Sequence, residues 1–516
     1  MKPSGLRAVC LAVPLIGFLS LASAQQIPIK TIPLAQGTQF EIFPSNNIGM
    51  GAVSIALPDS IGDPYVNPAT TSRLRASFLF TSPTVYTLSD KAGGGQSLPF
   101  SMLVRRNAWF GGLGFALQEV EPARAPQDFR GGVVDVAPPG GGGGFAGPVS
   151  TIPGPNFRPH GNKYAFGMIG RAFRESNLSV GASAQWTGLH ALDGVEVLYN
   201  GSRGLTQTGD VLDLRVGALK EWPGERGMRS LEGILFHNRF AATHEVLFAD
   251  VFWDPNQQVF REKARVDTNY NQTNTWGAQL EYRMPLAPQG WQIGWLATVN
   301  QATQPKNPRY DVAGAAVIPR DPGHSSAFNL GIGVSKVLGP SRFGLDVIYQ
   351  PIRSYTWADA PVPIATLSGD TIAAGGKTLD NRFAFSNALL RLGWGHDVPL
   401  EGSKNVVGLQ FGLMLRSIHY DLHQTDYVQE LQRSMQTGWL EWTPTWGISL
   451  RAAELEIRYQ GRLTQGGGRP GANFAFGGVR ATDLSSGTLL AAPPQPLSLV
   501  AVRPTTHQLT LSVPLH

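Results

Sequence analysis

His419 and His423, with Asp421 and Asp426 nearby, are the residues whose types could hold a metal ion. A metal needs its nitrogen and oxygen donors gathered at one point, and residues four apart on a strand lie about 13 Å from each other. The set therefore serves a metal only if the segment is helical; otherwise it is a solvated loop, and no metal is expected. Gly140 to Gly144, flanked by Pro138, Pro139, Pro148 and Pro153, is glycine-rich like a phosphate cradle. No Gly-Lys-Ser/Thr and no helical pattern follow it, so it reads as an exposed loop. Neither a Gly-x-Ser-x-Gly elbow nor a His-Glu-x-x-His motif is present, and neither catalysis nor a cofactor is expected. A further set is charged: Asp213, Arg215, Glu281, Arg283, Asp346, Arg416, Glu454, Glu456 and Arg458. Five are acidic and four basic, a mixture that fits ion pairs bracing a wall. If several converge, the same residues could hold a polar headgroup.

What must position these residues is a set of strands. Leu178, Val180, Ala182, Ala184 and Trp186 alternate with Ser179, Gly181, Ser183, Gln185 and Thr187. Side chains on a strand alternate between faces, so one face is apolar and the other small or polar. The pattern recurs at 276–284, 328–335, 343–350, 407–416 and 454–460, and at the C-terminus, where Leu509, Leu511, Val513 and Leu515 alternate with Thr510, Ser512 and Pro514. A β-sandwich would alternate as well; the connections decide, because membrane barrels have short turns at one end and longer loops at the other. Short links fall at 105–107, 174–177, 221–228, 285–290, 338–341, 396–405 and 451–453. Longer segments separate them at 87–97, 119–163, 189–210, 240–273, 302–325, 353–381, 417–436 and 463–505. This rhythm predicts an all-β protein, a transmembrane antiparallel barrel of about 14–16 strands. Trp109, Trp276 and Trp291 begin apolar faces and Trp186, Tyr349 and Trp394 close them, as interfacial girdles would. Ordinary core tryptophans would fall mid-strand, as Trp295 does.

Composition agrees. The 516 residues are 42% hydrophobic but only 15% charged, where a soluble protein carries about a quarter. Beyond the N-terminus there is no apolar run of about 18 residues, which excludes a helical membrane protein. Residues 1–24 read as a signal peptide: Lys2 and Arg7 precede an apolar stretch, and Ala22-Ser23-Ala24 is the cleavage site. The single Cys10 leaves with it. Net charge falls from +5 to +3 without Lys2 and Arg7, and no basic cluster suggests nucleic acid.

The segment Asn46-Asn47-Ile48-Gly49-Met50-Gly51-Ala52-Val53-Ser54, followed by Asp59, Asp63 and Asn67-Pro68-Ala69, resembles the N-terminal region of the FadL-like outer-membrane proteins, the long-chain fatty acid transporter family. The resemblance extends to layout, with hairpins at 100–117 and 164–187 separated by a long loop. The family usually has fourteen strands. The resemblance implies a hatch inside the lumen over residues 25–70, shaped by Gly49, Gly51, Asn67 and Pro68, with the barrel over 71–516. The alternative is a tight turn leading into the first strand. It further implies a passive channel in the bacterial outer membrane for hydrophobic or amphipathic small molecules such as fatty acids. Its partners would be the outer-membrane lipids, the ligand and the barrel assembly machinery. A non-transporting barrel, acting as a secretion-system partner or surface interaction protein, is the other reading.

Overall fold

The computed structural model describes residues 39–515 except 123–159, 194–202, 226, 255, 257–258, 288–289, 305–310, 313–314, 319–322, 361, 453 and 471–498. The signal segment, residues 25–38 of the expected hatch, and the run Gly140 to Gly144 lie outside the described residues.

Sixteen antiparallel strands close into one barrel. In chain order they are β1 (Ser77–Thr81 and Thr84–Leu88), β2 (Gly94–Arg106), β3 (Trp109–Glu121), β4 (His160–Phe173), β5 (Leu178–Leu189), β6 (Gly204–Gly224), β7 (Gly227–Asp254) and β8 (Val259–Ala287). The second half is β9 (Trp291–Gln304), β10 (Gly323–Leu338), β11 (Ser341–Asp359), β12 (Lys377–Pro399), β13 (Val406–Asp426), β14 (Leu431–Ala452), β15 (Leu455–Leu463) and β16 (Pro504–Leu515). Pro83 lacks an amide hydrogen and interrupts β1 without shifting its register: Thr81 pairs with Leu511 and Thr84 with Gln508. Those pairs join first strand to last, so the sheet has no free edge.

The seven expected short links each fall between consecutive strands at one end of the barrel, although strand continues into some of them, as to Gly224 and to Pro399. Tight reversals there put Asn107 and Asn177 at φ of 56° and 48°, a region asparagine tolerates. At the other end the structure corrects the reading. Segments 240–273 and 417–436 are not loops: β7 pairs with β8 out to Asp254 and Val259, and β13 with β14 out to Asp426 and Leu431. These strands run past the membrane, where the outward face turns polar. The loss of apolar residues at the expected positions therefore marks the end of the bilayer and not the end of the strand.

The outward positions carry exposed apolar side chains all around the barrel, among them Leu113 at 64%, Ile169 at 62% and Leu330 at 57%. A soluble protein does not leave a continuous belt of this kind in water, so the barrel is membrane-embedded. Trp109 and Trp394 are exposed near the short-turn ends of their strands and Trp186 near the opposite end of β5, whereas Trp276 and Tyr349 are exposed mid-strand because β8 and β11 run on past them. Trp295 also points outward, stacked 5.8 Å from Tyr282 within the band.

Candidate functional site

Residues 39–73 contact the inward side chains of strands on every side of the barrel, which places this segment inside the lumen. It contains a 3-10 turn (Ile48–Met50), a one-turn helix (Asp63–Val66) and a 3-10 helix (Pro68–Arg73). Short polar side chains shape it locally. Asn47 donates to the carbonyls of Val53 and Leu57 at 2.9 and 3.3 Å. Asp59 accepts from the amides of Asn46, Ile61 and Gly62 at 2.7, 3.0 and 2.9 Å. Asn67 caps the second 3-10 helix by accepting from Ala69 N at 3.1 Å.

The segment is then tied to the wall. Gly51 N donates to Thr445 Oγ1 at 2.9 Å, and that hydroxyl donates to Gly49 O at 3.0 Å. Ser54 N and Ile55 N donate to Asp346 at 2.8 and 3.3 Å. Arg391 reaches Ala52 O at 3.2 Å and Arg283 reaches Ile55 O at 2.9 Å. Between these ties the backbone lies directly on wall glycines. A Cβ on Gly393 would stand 2.1 Å from Met50 O, and one on Gly412 would stand 2.1 Å from Gly51 N. Gly51 itself has φ of 67° and faces the Leu392 carbonyl, so only glycine fits.

Toward β6–β8 the clamp is ionic. Arg73 pairs with Glu221 at 3.0 Å and Glu232 at 2.7 Å. Arg283 lies 3.4 Å from Glu232 and 3.9 Å from Asp63, and also pairs with Glu281. Asn67 Nδ2 donates to Glu232 at 3.2 Å. Two guanidiniums thus face four carboxylates in a largely buried cluster that joins the segment to the wall.

The expected charged residues fall into separate groups. Asp213 pairs with Arg215 at 2.6 Å, and Arg215 donates to the carbonyls of Tyr65 and Val66. Glu456 pairs with Arg458, which also reaches Asn46. Arg416 faces the lumen but lies 3.9 Å from Glu441, away from the segment's ties. Arg283, Arg416 and Arg458 therefore have different partners and do not form one headgroup site. Glu454 is not on the lumen wall: it lies exposed in the turn before β15, where the strand ends one residue short of it. His419 and His423 sit on β13, so their four-residue separation is that of a strand, and among the described residues no group of three or more ligating side chains assembles. Sequence reasoning missed Arg73, Glu221, Glu232 and Arg391. Glu232 and Arg391 had a signal, each being a lone charge in an apolar run, Leu231 to Phe236 and Leu389 to Leu392.

Beyond the internal segment lies a different surface. Ala327, Ile352, Phe383, Phe385, Ile418, Tyr420 and Leu422 form a buried apolar cluster, with Met435 and Trp439 packed against it. Their strand parity matches that of Asp346, Arg391 and Thr445, so they face inward. Phe385 and Tyr420 approach to 5.0 Å between ring centres. Ile352 is six residues along β11 from Asp346, about 20 Å toward the long-loop end. At this level the outward neighbours are small or polar, with Ala384, Ser417 and His419 exposed and Ser386 half-buried. The apolar face has changed sides.

Fold and site together define a membrane-embedded, sixteen-stranded barrel with a clamped internal segment. No family model matches the chain, and no curated protein matches it. Among solved structures it is similar to a bacterial polysaccharide outer membrane secretin (6% identity, 86% of this chain and 99% of that one, TM-score 0.37). Others are the CymD monoaromatic hydrocarbon channel (12%, 93% and 99%, 0.32) and the Ralstonia pickettii toluene transporter TbuX (10%, 91% and 97%, 0.35).

Proposed function

We propose that this protein is an outer-membrane channel for hydrophobic or amphipathic small molecules, with residues 39–73 as its hatch. The observation that carries the reading is the inward apolar collar on β10–β14. A wall that lines only an aqueous path has no need of phenylalanine, isoleucine and leucine side chains; here they pack on one another out of water, and apolar cargo entering among them would bury its own surface, at roughly 25 cal/mol per Å2, without exposing theirs. The hatch, nearer the short-turn end, would then delay release into the periplasm. The FadL-like character of residues 46–69 supports the same reading, although the barrel has two strands more than that family usually has. No catalytic step and no cofactor enter the mechanism.

The test is binding of N-phenyl-1-naphthylamine to the purified barrel, followed by fluorescence. Phe385→Asp is expected to weaken binding by about ten-fold or more, since removing a buried aromatic side chain costs about 2 kcal/mol. A wild-type barrel that neither binds the probe nor passes any apolar solute would overturn the reading. The second reading, an interaction barrel, draws on the β7–β8 hairpin, whose strands of 28 and 29 residues exceed the 9–11 needed to span a bilayer. A protein partner lost on shortening that hairpin, with solute flux absent throughout, would favour it.

A further inference from the structure

Where the lipid-facing band ends on β10–β12, the outer surface becomes cationic and aromatic. On β11 Tyr349 is exposed within the band, and two outward positions later comes Arg353, followed by Tyr355 and Trp357. Register sets His324 opposite Tyr355, and Tyr355 opposite Arg382. Arg353 stands opposite Ala384, so Arg353 and Arg382 are diagonal neighbours about 7–8 Å apart, within reach of one small anion. Lys377 Nζ lies 5.1 Å from the Tyr355 ring centre and 5.6 Å from that of Trp357, and the Arg382 guanidinium lies 5.9 Å from the Tyr355 ring. All three cations are exposed. Among the described residues none of them lies within ion-pair distance of a carboxylate, although Asp359 stands opposite Lys377 in the register and Lys377 donates to the same Tyr355 hydroxyl that Asp380 binds. Asp380 accepts from the hydroxyls of Tyr427 and Tyr355 at 3.0 and 3.4 Å, and Asp421 faces His419 at 3.7 Å.

We propose that Arg353, Lys377 and Arg382 form a docking patch for the phosphate of a lipid headgroup in the leaflet at the long-loop end of the barrel. The depth is that of headgroups, one step beyond the apolar band and beside the interfacial aromatics. The charge is complementary, and arginine forks match phosphate oxygens in a bidentate manner. Stacking of Lys377 over Tyr355 and Trp357, and of Arg382 over Tyr355, holds these two cations at the wall and limits the freedom they lose on binding. This assignment is independent of what the lumen carries.

The experiment adds dioleoyl phosphatidic acid or dioleoyl phosphatidylcholine to the full-length barrel in neutral detergent and counts retained lipid by native mass spectrometry. The wild type is expected to retain the phosphatidic acid about five-fold or more over the zwitterion. The triple variant R353Q/K377Q/R382Q is expected to lose that preference while keeping heat-modifiable mobility on gels. Arg106→Gln with Lys404→Gln, at the short-turn end, is expected to keep it. Should the triple variant not fold, Arg353→Gln and Arg382→Gln singly are each expected to give a partial loss. No preference in the wild type, retention in the triple variant, or complete displacement by millimolar inorganic phosphate would each overturn the assignment.

Discussion

Valine in place of Gly412 is expected to drive the hatch from the wall and raise solute flux about ten-fold or more. The added Cβ would meet Gly51 N at 2.1 Å and Met50 C at 2.4 Å, and both are backbone atoms that cannot swing aside as a side-chain tip can. Overpacking of this kind costs about 1–3 kcal/mol. Displacing the turn also breaks the two hydrogen bonds at Thr445, each worth about 1 kcal/mol. The sum exceeds the roughly 1.4 kcal/mol that changes a population ten-fold. Valine suits a strand, so β13 and the barrel should survive. Liposome swelling with a neutral sugar reads the flux, and gel mobility before and after heating reads the barrel. Gly393→Val, aimed at Met50 O, should act alike, whereas Gly233→Val, where a Cβ meets nothing within 4 Å, should leave flux unchanged. Wild-type flux in both Gly412→Val and Gly393→Val would mean that this segment is not the barrier.

Local pattern specified the barrel because one period, two residues, serves every spanning strand. Lipid sets the outward residue of each pair, as at Leu178, Val180 and Ala182, and short turns such as Gly339-Pro340 mark one end. The same rule hid the upper halves of β7, β8, β13 and β14. Outside the bilayer the outward face meets water, so Ser417, His419, Asp421 and His423 read as a loop while Ile418, Tyr420 and Leu422 continue the strand with the opposite polarity. An alternation that changes phase is still an alternation, and Ile418 to Gln424 carries it. The internal segment was legible only through the resemblance of residues 46–69, with Gly49, Gly51 and Asn67-Pro68, to the FadL-like N-terminal region. Its fastening was not. Asp63, Arg73, Glu221, Glu232 and Arg283 come from four parts of the chain, and only closure of the barrel brings them together.

That fastening carries the second large prediction, an increase in flux as pH rises from about 5 to about 8. Asp63 lies against Arg283 on β8, Glu232 on β7, and Arg73 and Asp59 of the hatch, with Glu281 beside them. Burial pushes its pKa up to about 7 from 3.8, opposed by the Arg283 charge and helped by Asp59 and Glu232. The excess of carboxylates over guanidiniums explains why the arginines do not cancel the burial. In an undocked hatch Asp63 meets water and returns to its ordinary value, so the docked state binds the proton more tightly. Docking is therefore favoured most below the undocked pKa, and the advantage is lost as pH climbs toward about 7. A difference of about three pKa units corresponds to at most about 4 kcal/mol across that window, large beside the population shifts that open a channel. Asp63→Asn, neutral at every pH, should hold flux low and flat from pH 5 to 8.5. Arg283→Met should act oppositely, because it leaves Glu232 and Glu281 without their shared cation, a loss of about 3–5 kcal/mol when a buried pair is broken. Equal pH profiles for the wild type and Asp63→Asn would place the titrating group elsewhere. A flat, closed profile for Arg283→Met would show that the ionic cluster does not hold the hatch.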